Sequence, residues 1–270
     1  MKIGIVQMPL SRQISERTTE TAIFRVREEV QGSPVDLLVL PELWGTNPFS
    51  AKEIARDSFF LQQKGLSLFD SLLPPDGSEV IFGTFPDQNE SGNFANRVLF
   101  RNASGQWDVS AEKNRPFGFG LGESQVVNPG TSSNLLESKF GFFQVLVCFD
   151  LRFAELVLRL NEVPPLIVVV ASWPKERAMH WEALLRSRAI EFQAFVVGCN
   201  SSGIIDGVEL AGSSMVFGPD GTTRLCMDQK AFYAACEIDL AEVGQVREAF
   251  PIERERDLLK KQLQQGSLGR

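Results

Sequence analysis

The chain has 270 residues, 43% of them apolar, with 34 acidic residues set against 27 basic ones for a formal net charge of −7. That composition supplies a sizeable core and offers no electrostatic basis for binding nucleic acid or an anionic membrane. A single histidine excludes a multi-histidine metal centre, and the four cysteines (Cys148, Cys199, Cys226, Cys236) form no CxxC pair of the kind a zinc ribbon or thioredoxin-like site needs.

The opening MKIGIVQMP reads as a short strand ended by proline, not as the apolar core of a signal peptide. No apolar run reaches the roughly 20 residues of a membrane span. The expected protein is soluble and cytoplasmic, with reduced cysteines. Residues 14–31 have a helical pattern before a Gly-Ser-Pro break, and DLLVLPELW (36–44) is a buried strand stopped by Pro41. Residues 50–73 read as helix, followed by a PPDGS turn. EVIFGTFPDQ and RVLFRNASGQWDVS read as antiparallel strands, the second bending at Ser104-Gly105. The Gly-rich NRPFGFGLGES lacks the strand-turn-helix context of a dinucleotide fingerprint and is read as an active-site loop.

That loop leads to the strand ending at Cys148. Residues 151–161 are expected to form a short helix, and PLIVVVASWP a fully buried strand. Residues 178–194 are helical, with Trp181, Leu185, Ala189 and Phe192 on one face. AFVVGCN, SSMVFGPDGTTRLCM and AFYAACEIDL are strands, the middle one carrying a Pro-Asp-Gly hairpin turn. No linker or repeat divides the chain, so residues 1–270 are read as one domain, with residues 251–270 an exposed C-terminal arm. The order of elements suits an α/β fold of helices covering sheets with both parallel and antiparallel pairs.

Three stretches place an ionisable residue at or beside the end of an apolar strand: Glu42 in LVLPELW, Lys113 in WDVSAEKNRPFG and Cys148 in VLVCFDLRF. Strand ends are where α/β proteins assemble their sites. A thiol, a carboxylate and an ammonium together can hydrolyse an amide: the sulfur attacks, the carboxylate carries protons, and the ammonium with a backbone N–H stabilises the oxyanion. A helix starting near Leu151 would favour the Cys148 thiolate. Each residue also has a plain structural role open to it. Cys148 suits a buried apolar position, Glu42 a loop contact, Lys113 a solvated surface, and Asp150 and Arg152 a helix N-cap and an ion pair.

The motifs LPELW, EK followed by PF, GES…NPG and VCFDLRFAE, in that order, resemble those of the nitrilase (carbon–nitrogen hydrolase) superfamily. SWPKERAMHWEALLRSRAIEFQAFVVGCN continues the likeness, which runs from Lys2 to about Pro251 and is strongest toward the omega-amidase branch. The resemblance implies a four-layer αββα sandwich of two mixed sheets, dimerised, with no metal or organic cofactor. It implies a small-molecule substrate carrying a terminal amide, such as 2-oxoglutaramate. It assigns Glu42 as general base, Lys113 as oxyanion-stabilising acid, Cys148 as nucleophile, Glu123 as a positioning residue and the Phe149 N–H as a second oxyanion donor. Trp173 would line the substrate pocket.

One departure stands out. Omega-amidases usually read Lys-x-His-Leu-Phe, where this chain has Lys113-Asn114-Arg115-Pro116-Phe117. Arg115 is therefore a candidate for the substrate pocket, pairing with a distal carboxylate, or else a surface arginine. His180 is read as structural or pocket-lining, and Arg188 with Glu191 as a helix-stabilising pair. Hydrolysis of a nitrile or an N-carbamoyl amine on the same triad, and a non-catalytic binding protein, are the alternatives that the motifs leave open.

Overall fold

Alternating apolar residues build two six-stranded sheets in a computed structural model of the chain, which describes residues 1–11, 16–32, 34–47, 70, 77–88, 93–109, 111–119 and 123–267. The first sheet comprises β1 (Lys2–Val6), β3 (Leu37–Val39), β4 (Glu79–Gln88), β5 (Phe94–Arg101), β6 (Trp107–Asp108) and β15 (Tyr233–Glu237), in the order β15-β1-β3-β4-β5-β6. The second comprises β7 (Leu135–Ser138), β8 (Gly141–Val147), β9 (Leu166–Ala171), β10 (Phe195–Asn200), β13 (Met215–Phe217) and β14 (Thr223–Cys226), in the order β14-β13-β10-β9-β8-β7. Both are mixed. β1, β3 and β4 run parallel at the centre of one sheet, and β8, β9 and β10 at the centre of the other, with antiparallel strands outside them.

Successive side chains on a strand face opposite ways, and this sorts the core into layers. Val145 and Val147 of β8 join Val168 and Val170 of β9 against Ile3, Ile5, Val39 and Ile81 of the first sheet. Leu146, Ile167 and Val169 face outward, onto Trp181, Leu185, Ala189 and Phe192. Those four lie on one side of a helix, α3 (Ala178–Phe192), which packs on the outer face of the second sheet. The outer face of the first sheet is covered by α1 (Glu16–Gly32) through Ile23, Val26 and Val30. Helix, sheet, sheet, helix is the resulting order of layers. Gly198 on β10 lets α3 sit this close: a Cβ there would lie 2.4 Å from Leu185 Cδ1 and 2.7 Å from Trp181 Cζ2.

Several elements differ from the sequence expectations. Residues 151–161 hold no continuous helix. A five-residue 3-10 turn, Cys148–Arg152, is followed by a single helical turn, α2 (Glu155–Leu158). Phe153 between them is extended, at φ −111° and ψ 93°, which interrupts the helical run. A three-stranded sheet of β2 (Pro9–Ser11), β11 (Ser202–Ile205) and β12 (Val208–Ala211) was not foreseen. At the C-terminus, α4 (Ala241–Ala249) is followed by α5 (Ile252–Ser267). Arg256 of α5 donates to the Glu191 carbonyl and lies over the Phe192 ring, so the helix touches the end of α3. The expected helix over 50–73 and the PPDGS turn fall outside the described residues apart from Asp70, Gly77 and Ser78. None of the described helices is long and apolar enough to cross a membrane.

Candidate active site

Glu42 follows β3 in a turn fixed by the neighbouring strand. Gly83 on β4, at φ 85°, admits the Pro41 carbonyl where a Cβ would lie 1.9 Å from its oxygen. Leu43 N–H donates to Thr84 Oγ1 and Trp44 Nε1 to the Phe82 carbonyl. Lys113 is held by its backbone to the edge of the same sheet, donating to Asn96 O at 2.8 Å and accepting from Gly130 N–H at 2.9 Å. Glu123 opens a 3-10 turn, Glu123–Gln125. Cys148 terminates β8 from the other sheet at φ 48°, a left-handed conformation costing an L-residue roughly 1–2 kcal/mol.

These four meet between the sheets. Lys113 Nζ lies 2.8 Å from Glu42 Oε1, 2.8 Å from Glu123 Oε1 and 2.7 Å from Glu123 Oε2, and its side chain is only 2% exposed. Burial alone would drive the ammonium's pKa down, but Glu123 and Glu42 reverse that and hold it well above the usual lysine value. Lys113 is therefore a fixed positive charge. Glu42 Oε2 accepts from Ser172 N–H at 3.0 Å, and Ser172 Oγ donates back to the Glu42 carbonyl.

Burial, followed by the negative charges of Glu42 and Glu123, pushes the Cys148 thiol well above its usual pKa, against the pull of Lys113. The helix start expected near Leu151 is a five-residue 3-10 turn, Cys148–Arg152, so no α-helix N-terminus backs the sulfur. Cys148 and Glu42 line the same pocket, with Lys113 and Glu123 beside them.

Asp150 ties the loop of Lys113 to the turn of Cys148. Its carboxylate accepts from the backbone N–H groups of Asn114 (3.1 Å), Arg115 (2.7 Å) and Val147 (3.2 Å). Burial raises its pKa to about 6, with those N–H groups and Lys113 acting in the opposite direction. Arg188, paired with Glu191 at 3.0 Å as its helical spacing suggests, also donates to Leu151 O in the turn.

The cluster lines a pocket open to solvent, together with Phe117, Phe149, Trp173, Arg152 and Arg177 among others. Trp173 is 2% exposed and is anchored by Asn200 Oδ1 and the Arg177 carbonyl. Arg115 lies elsewhere. Its side chain is exposed over the Phe153 ring, outside the pocket lining, because its backbone N–H is bound to Asp150 on the far side of the turn.

Two other guanidinium groups face the pocket instead. Arg152 stacks over Trp173 at 4.9 Å and bonds His180 Nδ1 at 3.2 Å, while Arg177 lies over Phe117 at 5.9 Å. The ion pair expected of Arg152 is absent: among the described residues neither arginine pairs with a carboxylate. Desolvation and then the charge of Arg177 lower the Arg152 pKa. Arg177, Ser172 and Asn96 were not singled out from sequence. Asn96 had a readable signal, being the polar residue in the alternation Phe94, Asn96, Val98, Phe100 on one face of β5.

Comparison with known proteins follows this geometry. A carbon–nitrogen hydrolase family model matches residues 2–248. A 2-oxoglutaramate amidase of Paenarthrobacter nicotinovorans is 29% identical over 252 residues, covering 90% of this chain and 85% of that protein. Omega-amidase YafV of Escherichia coli is 33% identical over 224 residues, covering 82% and 84%. In solved structures, Nit3 of Saccharomyces cerevisiae, described as a nitrilase-superfamily member, superposes with a TM-score of 0.82 at 22% identity, covering 95% and 96%, and shares the fold.

Proposed function

The chain belongs to the carbon–nitrogen hydrolase family, and from that premise we propose that it is an omega-amidase, cleaving the terminal amide of a small linear acid such as 2-oxoglutaramate. The relatives named 2-oxoglutaramate amidase and omega-amidase support the substrate class. The observation that carries the reading is the pocket itself. A thiol, an ammonium and two carboxylates stand at its base, and two guanidinium groups without a carboxylate partner among the described residues line the same space. The base suits an amide carbonyl. The arginines suit a carboxylate at the substrate's other end.

In this reading Cys148 Sγ attacks the amide carbon as its proton passes to Glu42. The oxyanion so formed is stabilised by Lys113 Nζ and the Phe149 N–H. Collapse breaks the C–N bond, and ammonia departs with the proton returned by Glu42, leaving a thioester on Cys148. A water deprotonated by Glu42 attacks the thioester, releasing the carboxylic acid and the thiol. Glu123 keeps Lys113 oriented. A thiol whose pKa is raised by burial is consistent with this scheme, since the base acts during attack. The reaction needs no metal or organic cofactor. The same reading places the enzyme in the cytoplasm as a homodimer, a state supported by the exposed apolar side chains Met179 (85%) and Ile190 (48%) on α3.

The test is ammonia release from 2-oxoglutaramate and succinamate, with neutral butyramide alongside. Arg152→Leu and Arg177→Leu each raise KM for the two acids by about 10–100-fold, from a charge-assisted bond of about 1.5–3 kcal/mol. The butyramide KM stays within about threefold. Equal preference for butyramide, or unmoved KM values for the acids, would overturn the assignment.

A further inference from the structure

Asn96 stands in the middle of β5, 1% exposed, with its backbone carbonyl taking the Lys113 N–H. Its side-chain amide touches both carboxylates of the cluster: Nδ2 lies 3.0 Å from Glu42 Oε1 and 3.3 Å from Glu123 Oε1. The other end of the amide, Oδ1, is buried with no hydrogen-bond partner. A strand interior does not ordinarily tolerate a lost acceptor. Rotating the amide would bring Oδ1 against two carboxylate oxygens. The orientation is thus set by the need for a donor between Glu42 and Glu123, at the expense of Oδ1.

The consequence lies in which oxygen of Glu42 remains able to accept. A carboxylate offers about two lone-pair sites on each oxygen. Oε1 is saturated, by Lys113 Nζ at 2.8 Å and Asn96 Nδ2 at 3.0 Å. Oε2 has Ser172 N–H at 3.0 Å and one site left, and Cys148 lines the same pocket as this carboxylate. We propose that Asn96 is a positioning residue, which by occupying Glu42 Oε1 together with Lys113 fixes Oε2 as the oxygen that takes and returns the Cys148 proton. The inference rests on Glu42 being the base and Cys148 the nucleophile, as proposed above.

The charged and titratable groups facing this amide are Glu42 from the turn after β3, Lys113 and Glu123 from the loops beside β5, and, through Glu42, Cys148 from the end of β8. Removing the Asn96 donors frees Glu42 to rotate about its terminal bond and share both oxygens with Lys113. Proton transfer from Cys148 then loses its fixed acceptor, while the pocket that binds the rest of the substrate is untouched.

The test compares wild type, Asn96→Ala and Asn96→Asp in two assays over a range of pH: ammonia release, and alkylation of Cys148 by iodoacetamide followed by peptide mass spectrometry. Asn96→Ala is expected to lower kcat by 10–100-fold with KM within threefold, and to slow Cys148 alkylation at neutral pH by tenfold or more. The acid limb of kcat/KM is expected to move upward by about one pH unit, and further in Asn96→Asp, where a third carboxyl enters the cluster. A purely structural asparagine would lower the unfolding temperature and leave the pH profile of the folded fraction unchanged, and that result overturns the proposal. If Asn96→Asp does not fold, Asn96→Ala decides alone. Should wild type release no ammonia from any amide offered, the omega-amidase reading fails, and the alkylation profile still decides the role of Asn96.

Discussion

Glu42→Gln lowers kcat for amide hydrolysis by about 10³-fold, within the range that a positioned general base contributes. Glutamine fills the same space but cannot accept the Cys148 proton. The protein remains folded, because Lys113 keeps both oxygens of Glu123 at 2.7–2.8 Å. The loss therefore appears in kcat and kcat/KM together, and the KM for the carboxylate-bearing substrate, set by contacts at the pocket's other end, changes little. Steady-state kinetics at saturating substrate, with circular dichroism as a folding control, measure this directly. A loss below tenfold would remove Glu42 from the proton path.

Lys113→Met has the largest expected effect on stability. Among the described residues, the ammonium is the only positive group in contact with two carboxylates that are 3% and 6% exposed. Removing one partner of a buried pair costs about 3–5 kcal/mol, because the remaining charges stay desolvated and unpaired. Here the two carboxylates would also face each other across the space left by the ammonium. Urea unfolding should show the midpoint falling with little change in slope. Activity should fall by at least about 10²–10³-fold with the oxyanion donor gone. The double variant Lys113→Met/Glu123→Gln separates the effects: it recovers a large part of the stability and none of the activity. Recovery of activity in the double variant, or a stability loss under 1 kcal/mol in the single one, would contradict this account of the cluster.

Strand-end positions were the most legible part of the site. Glu42, Cys148 and Trp173 each close an apolar run whose buried faces leave the next residue at the sheet's edge, and the structure brings all three to one pocket. Contacts between distant segments were not legible. Ser172 reaches Glu42 across 130 positions, and nothing in either local pattern announces the other. Arg177 was passed over because it sits in the short 3-10 turn leading into α3, without periodicity to mark its direction.

Arg115 drew attention through its departure from the usual omega-amidase motif, yet the backbone bond to Asp150 sets the residue on the outside of the turn. The helix expected over 151–161 is interrupted by the extended Phe153 and ends at Leu158, amid otherwise helix-compatible apolar spacing. The hairpin of β11 and β12 turns at Asp206-Gly207, with φ 48° and 78°. That dipeptide is a strong hairpin signal, and it was legible though unread.

The account stands most directly on a covalent intermediate at Cys148. Mixing the enzyme with 2-oxoglutaramate, quenching in acid within the first turnovers and measuring the intact mass tests it, with Cys148→Ala as the control. The expected result is a species heavier by the acyl group of the substrate, mapped to the peptide carrying Cys148, and missing from the alanine variant. Steady ammonia release from Cys148→Ala, or turnover in the wild type with the acyl group on another residue, would contradict it.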